Sequence, residues 1–161
     1  MSTETHPAAA APWTTQVLRA TAILGLLVTL LQGLLAGLFV TGDVGLLTVH
    51  SVVGSAISVL ALVQFAIALV ERRARRRRDE PNSWRLTVLS GLFLVLVFAQ
   101  IGLGMSRAVA PHMFLGVTAA ALAMLVLFVV LTESGSTPAQ TPAQAPAQTP
   151  AQTPAATKEA L

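Results

Sequence analysis

Two histidines set in apolar surroundings carry the chemical interest of this sequence. His50 is followed four residues on by Gly54, and His112 four residues on by Gly116. Ahead of each stands a glutamine, Gln32 before His50 and Gln100 before His112, with glycines and a turn between. The order glutamine, glycines, turn, His-x-x-x-Gly thus occurs twice, as a duplicated hairpin would leave it. Imidazole is a common metal ligand, which makes His50 and His112 the candidate metal-binding pair. No set of nucleophile, base and acid converges anywhere, so we assign no catalytic residue, and the pattern favours a protein without enzyme activity over an enzyme. The chain has no cysteine, which excludes disulfides, thiolate metal sites, iron–sulfur clusters and covalent c-type heme attachment.

The elements that must position these residues are transmembrane helices. The 161 residues are 54% hydrophobic and only 11% charged, where a soluble domain carries about 25% charged residues. Mean hydropathy is +0.72. Charges are clustered, and between the clusters lie four apolar runs near the roughly 20 residues that a helix needs to cross a bilayer. The runs cover about residues 20–40, 44–70, 86–105 and 108–131. The turn Thr41-Gly42-Asp43 separates the first two, and Ser106 and Arg107 the last two. Between the second and third lies ERRARRRRDEPNSW, with Pro81 and Asn82 as breakers. Pro111 suits the first turn of the fourth helix, where a missing N–H costs nothing. Short connections make sequential helices antiparallel neighbours. The predicted fold is therefore all-α, a transmembrane up-down-up-down four-helix bundle of two repeated hairpins over residues 17–132.

Orientation follows from charge. The pI of about 11.1 comes from arginine, and six of the nine arginines lie between Arg72 and Arg78. A basic cluster between two spans is a topology signal rather than a nucleic-acid site. Arg19, Arg85 and that cluster share one side; only Arg107 lies on the other. The expectation is a multi-pass protein of the inner (plasma) membrane with both termini cytoplasmic and anionic lipid at Arg72–Arg78. Residues 1–16 read as a disordered tail in which His6 has no role. Residues 133–161 read as a second disordered tail, a Thr/Pro/Ala/Gln repeat whose regular prolines forbid helix and strand.

Depth brings the polar residues together. At about 1.5 Å per residue, His50 and His112 lie roughly 9 and 6 Å below the outer ends of their spans, and Gln32 and Gln100 about 12 and 7.5 Å below theirs. Lipid offers polar groups no partners, so all four should face the bundle interior. Spans 2 and 4 are diagonal and run the same way, which sets their histidines opposite each other at one height. That arrangement suits a planar cofactor, and imidazole is a good axial ligand for the iron of a b-type heme. Gly54 and Gly116 would remove side-chain bulk beside it. Arg107 would pair with a propionate, since guanidinium binds carboxylate in a bidentate way.

A cofactor-free reading uses the same residues for packing. Gln32, Gln100 and Gln64 would hydrogen-bond across helices, and Gly33-x-x-x-Gly37 and Ser51-x-x-x-Ser55 have the spacing of close helix contacts. Thr29, Ser55 and Ser58 read as packing or backbone-bonding hydroxyls. The protein would then be a scaffold or accessory subunit holding a membrane partner or another copy of itself. Transport is disfavoured because no acidic residue falls within the spans as drawn.

The stretch Gln100-Ile-Gly-Leu-Gly104, with Pro111-His112 and Gly116 after it, resembles the helix pairs of the heme A synthase superfamily. Residues from about Val17 to Leu131 look like one four-helix half of such a protein. They are also similar to small four-span membrane proteins of high-GC actinobacteria. The superfamily resemblance implies heme-ligand roles for His50 and His112. Synthases carry a glutamate in the first outer loop, and many carry a cysteine pair in their outer loops. Here the first outer loop holds only Asp43, and there is no cysteine, so the resemblance implies heme binding without synthase chemistry.

Overall fold

A computed structural model describes residues 12–80 and 83–133. They form helices α1 (Trp13–Val40), α2 (Leu46–Arg77), α3 (Arg85–Met105) and α4 (Val109–Glu133), with no strand among them. All four are long and apolar enough to cross a membrane. Each helix packs on its sequence neighbours, and α4 closes the ring against α1. The diagonal pairs α1/α3 and α2/α4 make no close backbone approach. The protein is thus an integral membrane protein with an up-down-up-down four-helix bundle made of two hairpins.

The helix ends show how the backbone avoids orphaned carbonyls. Gly42, Asp79 and Arg107 have φ of 123°, 53° and 59°, the left-handed conformation that closes a helix. In each case the amide of that residue and of the next turn back onto the last helical carbonyls. Gly42 N bonds Phe39 O at 3.2 Å and Asp43 N bonds Leu38 O at 3.2 Å. Glu80 N reaches Arg75 O at 3.1 Å, and Ala108 N reaches Leu103 O at 3.0 Å. Three helix ends therefore share one closure in which backbone satisfies backbone.

The core is thin and rich in alanine. Leu18, Ala22 and Leu26 of α1 meet Ile57, Ala61 and Ala68 of α2, Phe93 and Val97 of α3, and Ala119, Ala123, Val126 and Val130 of α4. Spacings of three and four put these on one face of each helix. Leu24, Leu27, Leu34, Val59, Leu62, Val95, Val117 and Phe128 point outward, as a lipid-facing surface requires. Both tryptophans, Trp13 and Trp84, stand exposed at the starts of α1 and α3, where indoles mark a membrane–water boundary.

Two boundaries differ from the sequence reading. Helix α1 begins at Trp13, inside the segment read as a tail, and Thr14 and Thr15 are buried. Pro12, with ψ of 148°, turns the chain into the helix. Thr14 Oγ1 donates to Glu71 Oε2 at 2.5 Å, which ties this first turn to α2. The arginine cluster is not a loop: α2 runs on through Arg77. Arginine is a good helix former, Arg75 pairs with Glu71 one turn back at 2.9 Å, and cations suit a helix C-terminus. Glu71, read as loop, is consequently a buried acid within α2, 6% exposed. The breakers Pro81 and Asn82, residues 1–11 of the N-terminal tail and residues 134–161 with the proline repeat lie outside the described residues.

The bond from Thr14 to a buried carboxylate generates a prediction. Thr14→Val should lower stability in detergent by about 2 kcal/mol, the usual worth of a hydrogen bond to a charged group. Thermal or SDS-driven unfolding followed by circular dichroism would measure it, and unchanged stability would show that α1 starts without this tie.

Candidate functional site

His50 lies in the second turn of α2 and His112 in the first turn of α4. Although their backbones stay apart, the two rings meet inside the bundle with centroids 6.0 Å apart and planes at 66°. Both side chains are half-buried. The diagonal therefore places the pair edge to face near the end of the bundle opposite the Arg72–Arg78 cluster.

Around the histidines the two hairpins repeat one contact. Gln32 of α1 leans over Gly54 of α2, and a Cβ on Gly54 would sit 2.9 Å from Gln32 Nε2. Gln100 of α3 leans over Gly116 of α4, where a Cβ would sit 3.0 Å from Gln100 Nε2. The space at Gly54 and Gly116 is thus taken by glutamine amides. In the first hairpin the amide uses the gap to donate from Gln32 Nε2 to His50 O at 2.9 Å. A helical carbonyl keeps a second lone pair, so this bond need not cost α2 its own ladder.

The second hairpin adds a bond to the ring itself. His112 Nδ1 lies 3.0 Å from Gln100 O. A carbonyl only accepts, so Nδ1 carries the proton and the free lone pair is on Nε2. The ring comes this close to α3 because Gly104 has no side chain; a Cβ there would be 3.4 Å from His112 Cε1. Gln32 Oε1 and Gln100 Oε1 are buried without a hydrogen-bond partner. Arg107 is exposed in the turn between α3 and α4, in a left-handed conformation that costs a non-glycine residue about 1–2 kcal/mol. Its side chain makes no hydrogen bond or ion pair among the described residues.

Farther along the bundle axis, Thr21 of α1 hydrogen-bonds Gln64 of α2, so Gln64 does link two helices. Thr29, Ser55 and Ser58 donate to carbonyls of their own helices. Gly33 and Gly37 are exposed, and a Cβ on either would meet nothing within 4 Å. This glycine pair is not used for packing within the chain, since that face of α1 turns away from the other helices. Ser51 and Ser55 are exposed as well.

Sequence reasoning brought Gln32, His50, Gln100 and His112 to one layer. It missed Gly104 and the Gln100 carbonyl, although Gly104 lies one turn beyond Gln100, the spacing at which a glycine uncovers a carbonyl. Among the described residues no group of three or more His, Cys, Asp or Glu side chains converges. No family model, curated protein or solved structure matches this chain.

Gly54→Ala should push the Gln32 amide off the His50 carbonyl. Gly37→Ala meets open space and gains only helix propensity. The first variant should therefore be less stable than the second by about 1 kcal/mol, one hydrogen bond's worth. Parallel melting curves in the same detergent decide it, and equal midpoints would mean that the glutamine–glycine contact contributes nothing.

Proposed function

We propose that this protein binds one b-type heme in the membrane, with His50 and His112 as its two axial ligands, and serves electron transfer or heme handling. The observation that carries the reading is the ring pair. An iron about 2 Å from each of two imidazole nitrogens sets the ring centres about 6 Å apart, and the separation here is 6.0 Å. Two imidazoles with no third ligating side chain also suit an ion that brings its own plane of ligands. The His112 Nδ1–H bond to Gln100 O leaves Nε2 as the ligating atom, the arrangement common among metal-bound histidines.

When bound, the heme would supply one-electron chemistry. The chain's own residues hold and shield it. His50 and His112 would together hold the iron and leave no place for oxygen, which would favour electron transfer. Gln32 and Gln100 now fill the gaps at Gly54 and Gly116; a macrocycle would displace these flexible side chains and rest against the glycines. Arg107, held at a conformational cost and without a side-chain partner among the described residues, would meet a propionate. The arginine-rich end lies in the cytoplasm by the positive-inside rule, with both termini on that side of the plasma membrane and anionic lipid around Arg72–Arg78. The heme would then sit toward the outer face.

A second reading rests on the filled gaps. Glutamine amides packed on Gly54 and Gly116 complete the bundle without a ligand, and the open Gly33/Gly37 face is free for a membrane partner or a second copy. The protein would then be a cofactor-free scaffold. Absorption separates the two. Protein purified from heme-replete cells should show a Soret band, and His50→Ala/His112→Ala should abolish it without loss of helicity. A colourless wild-type protein rules out the heme reading and leaves the scaffold.

A further inference from the structure

We infer that the arginine-rich end of the bundle admits water, and with it protons, along a file of polar side chains that ends at Gln64 inside the bundle. The inference stands on the chain alone and holds whether or not heme binds.

The sequence disfavours transport because no acid falls within the spans as drawn. The extension of α2 to Arg77 changes that, because Glu71 becomes a buried acid of the helix. Glu71 stands at the mouth of the file. Its carboxylate accepts from Thr14 at 2.5 Å and from Arg75 at 2.9 Å. Beside it a void of about 20 Å³ is lined by Thr15 of α1, Arg72 of α2, Thr87 of α3 and Glu133 of α4. All four helices thus bring a polar or charged side chain to one opening, and Thr15 and Thr87 are themselves buried.

The file continues inward. Ser90, three residues on from Thr87, is fully buried, and its Oγ has no partner among the described residues. Its neighbour Gly91 packs on Phe65, where a Cβ would sit 3.1 Å from Phe65 Cε2. Ser90 is therefore level with the turn of α2 that carries Gln64. Gln64 lies two turns from Glu71 on the same face of α2, about 10 Å farther in. It accepts from Thr21 and keeps a buried, unmatched Nε2. Thr21 and Gln64 border a second void of about 10 Å³, together with Gly25, Ala61, Phe93 and Ala123. Voids of about 10–15 Å³ hold a water where polar groups line them, and polar atoms within hydrocarbon need partners. Water shared among Thr87, Ser90 and Gln64 meets that need and links them to Glu71, the kind of intramembrane carboxylate that starts a proton relay.

Beyond Gln64 the file stops. Leu26, Ile57, Val97 and Ala119 are buried and apolar, and they separate it from the histidine layer. The path is therefore open to one side of the membrane only.

The test uses the full chain in nanodiscs. The protein has no cysteine, so one introduced thiol gives a single S–H infrared band, which moves to S–D on transfer to D2O. Ser90→Cys should exchange about tenfold faster than Val97→Cys, since a dry thiol waits for local opening of the bundle. Equal rates overturn the inference. Adding Thr87→Val to Ser90→Cys should slow the exchange toward the Val97→Cys rate; an unchanged rate overturns the file as drawn. A second measurement needs no variant of the file. In wild-type protein with 15N-labelled glutamine, the Gln64 side-chain amide should show a cross-peak to water, and its absence overturns the inference even if the cysteine variants fail to fold.

Discussion

Hydrocarbon supplies no hydrogen bonds, and most features of this protein follow from that. Each polar group carried into the bilayer must find its partner inside the bundle. The backbone meets the demand with four helices, three of them closed by the same turn-back of amides onto carbonyls. The side chains meet it in layers. Thr14, Glu71 and Arg75 pair at one end, Thr21 pairs with Gln64 farther in, and Gln32, His50, Gln100 and His112 cluster near the other end. Between the layers the core is alanine, valine and leucine, with Ile57 and Phe93.

Two of these layers leave polar atoms over. Gln32 Oε1 and Gln100 Oε1 in the last layer, and Gln64 Nε2 in the layer before it, are buried without a hydrogen-bond partner. Such groups cost about 1–3 kcal/mol each when left unmet. A bundle that needed only to pack would do better with leucine at these positions. Only the last layer adds a pair of imidazole rings to its amides.

Much of this was legible in the sequence because lipid enforces simple rules. Apolar runs of spanning length marked α2, α3 and α4 to within a few residues on the side of the histidines, and the short turns dictated antiparallel neighbours. The repeated Gln and His-x-x-x-Gly placed the polar layer by helix rise alone. Long-range polar contacts were not legible. Helix α1 starts early because Thr14 finds Glu71 across 57 residues, which no local pattern reports. The arginines were read as a loop because charge density masks helix propensity. The Gly54 and Gly116 gaps were read as room for a cofactor, and in the structure they admit the glutamines of the neighbouring helices.

The account stands on two imidazoles converging inside the bundle from diagonal helices. The most direct measurement is a nuclear Overhauser contact between the ring protons of His50 and His112 in nanodiscs, with a lipid-bound spin label present. We predict a cross-peak between the rings and little broadening of either. Absence of the cross-peak, with strong broadening of one ring by the lipid label, would place that histidine outside the bundle and contradict the account.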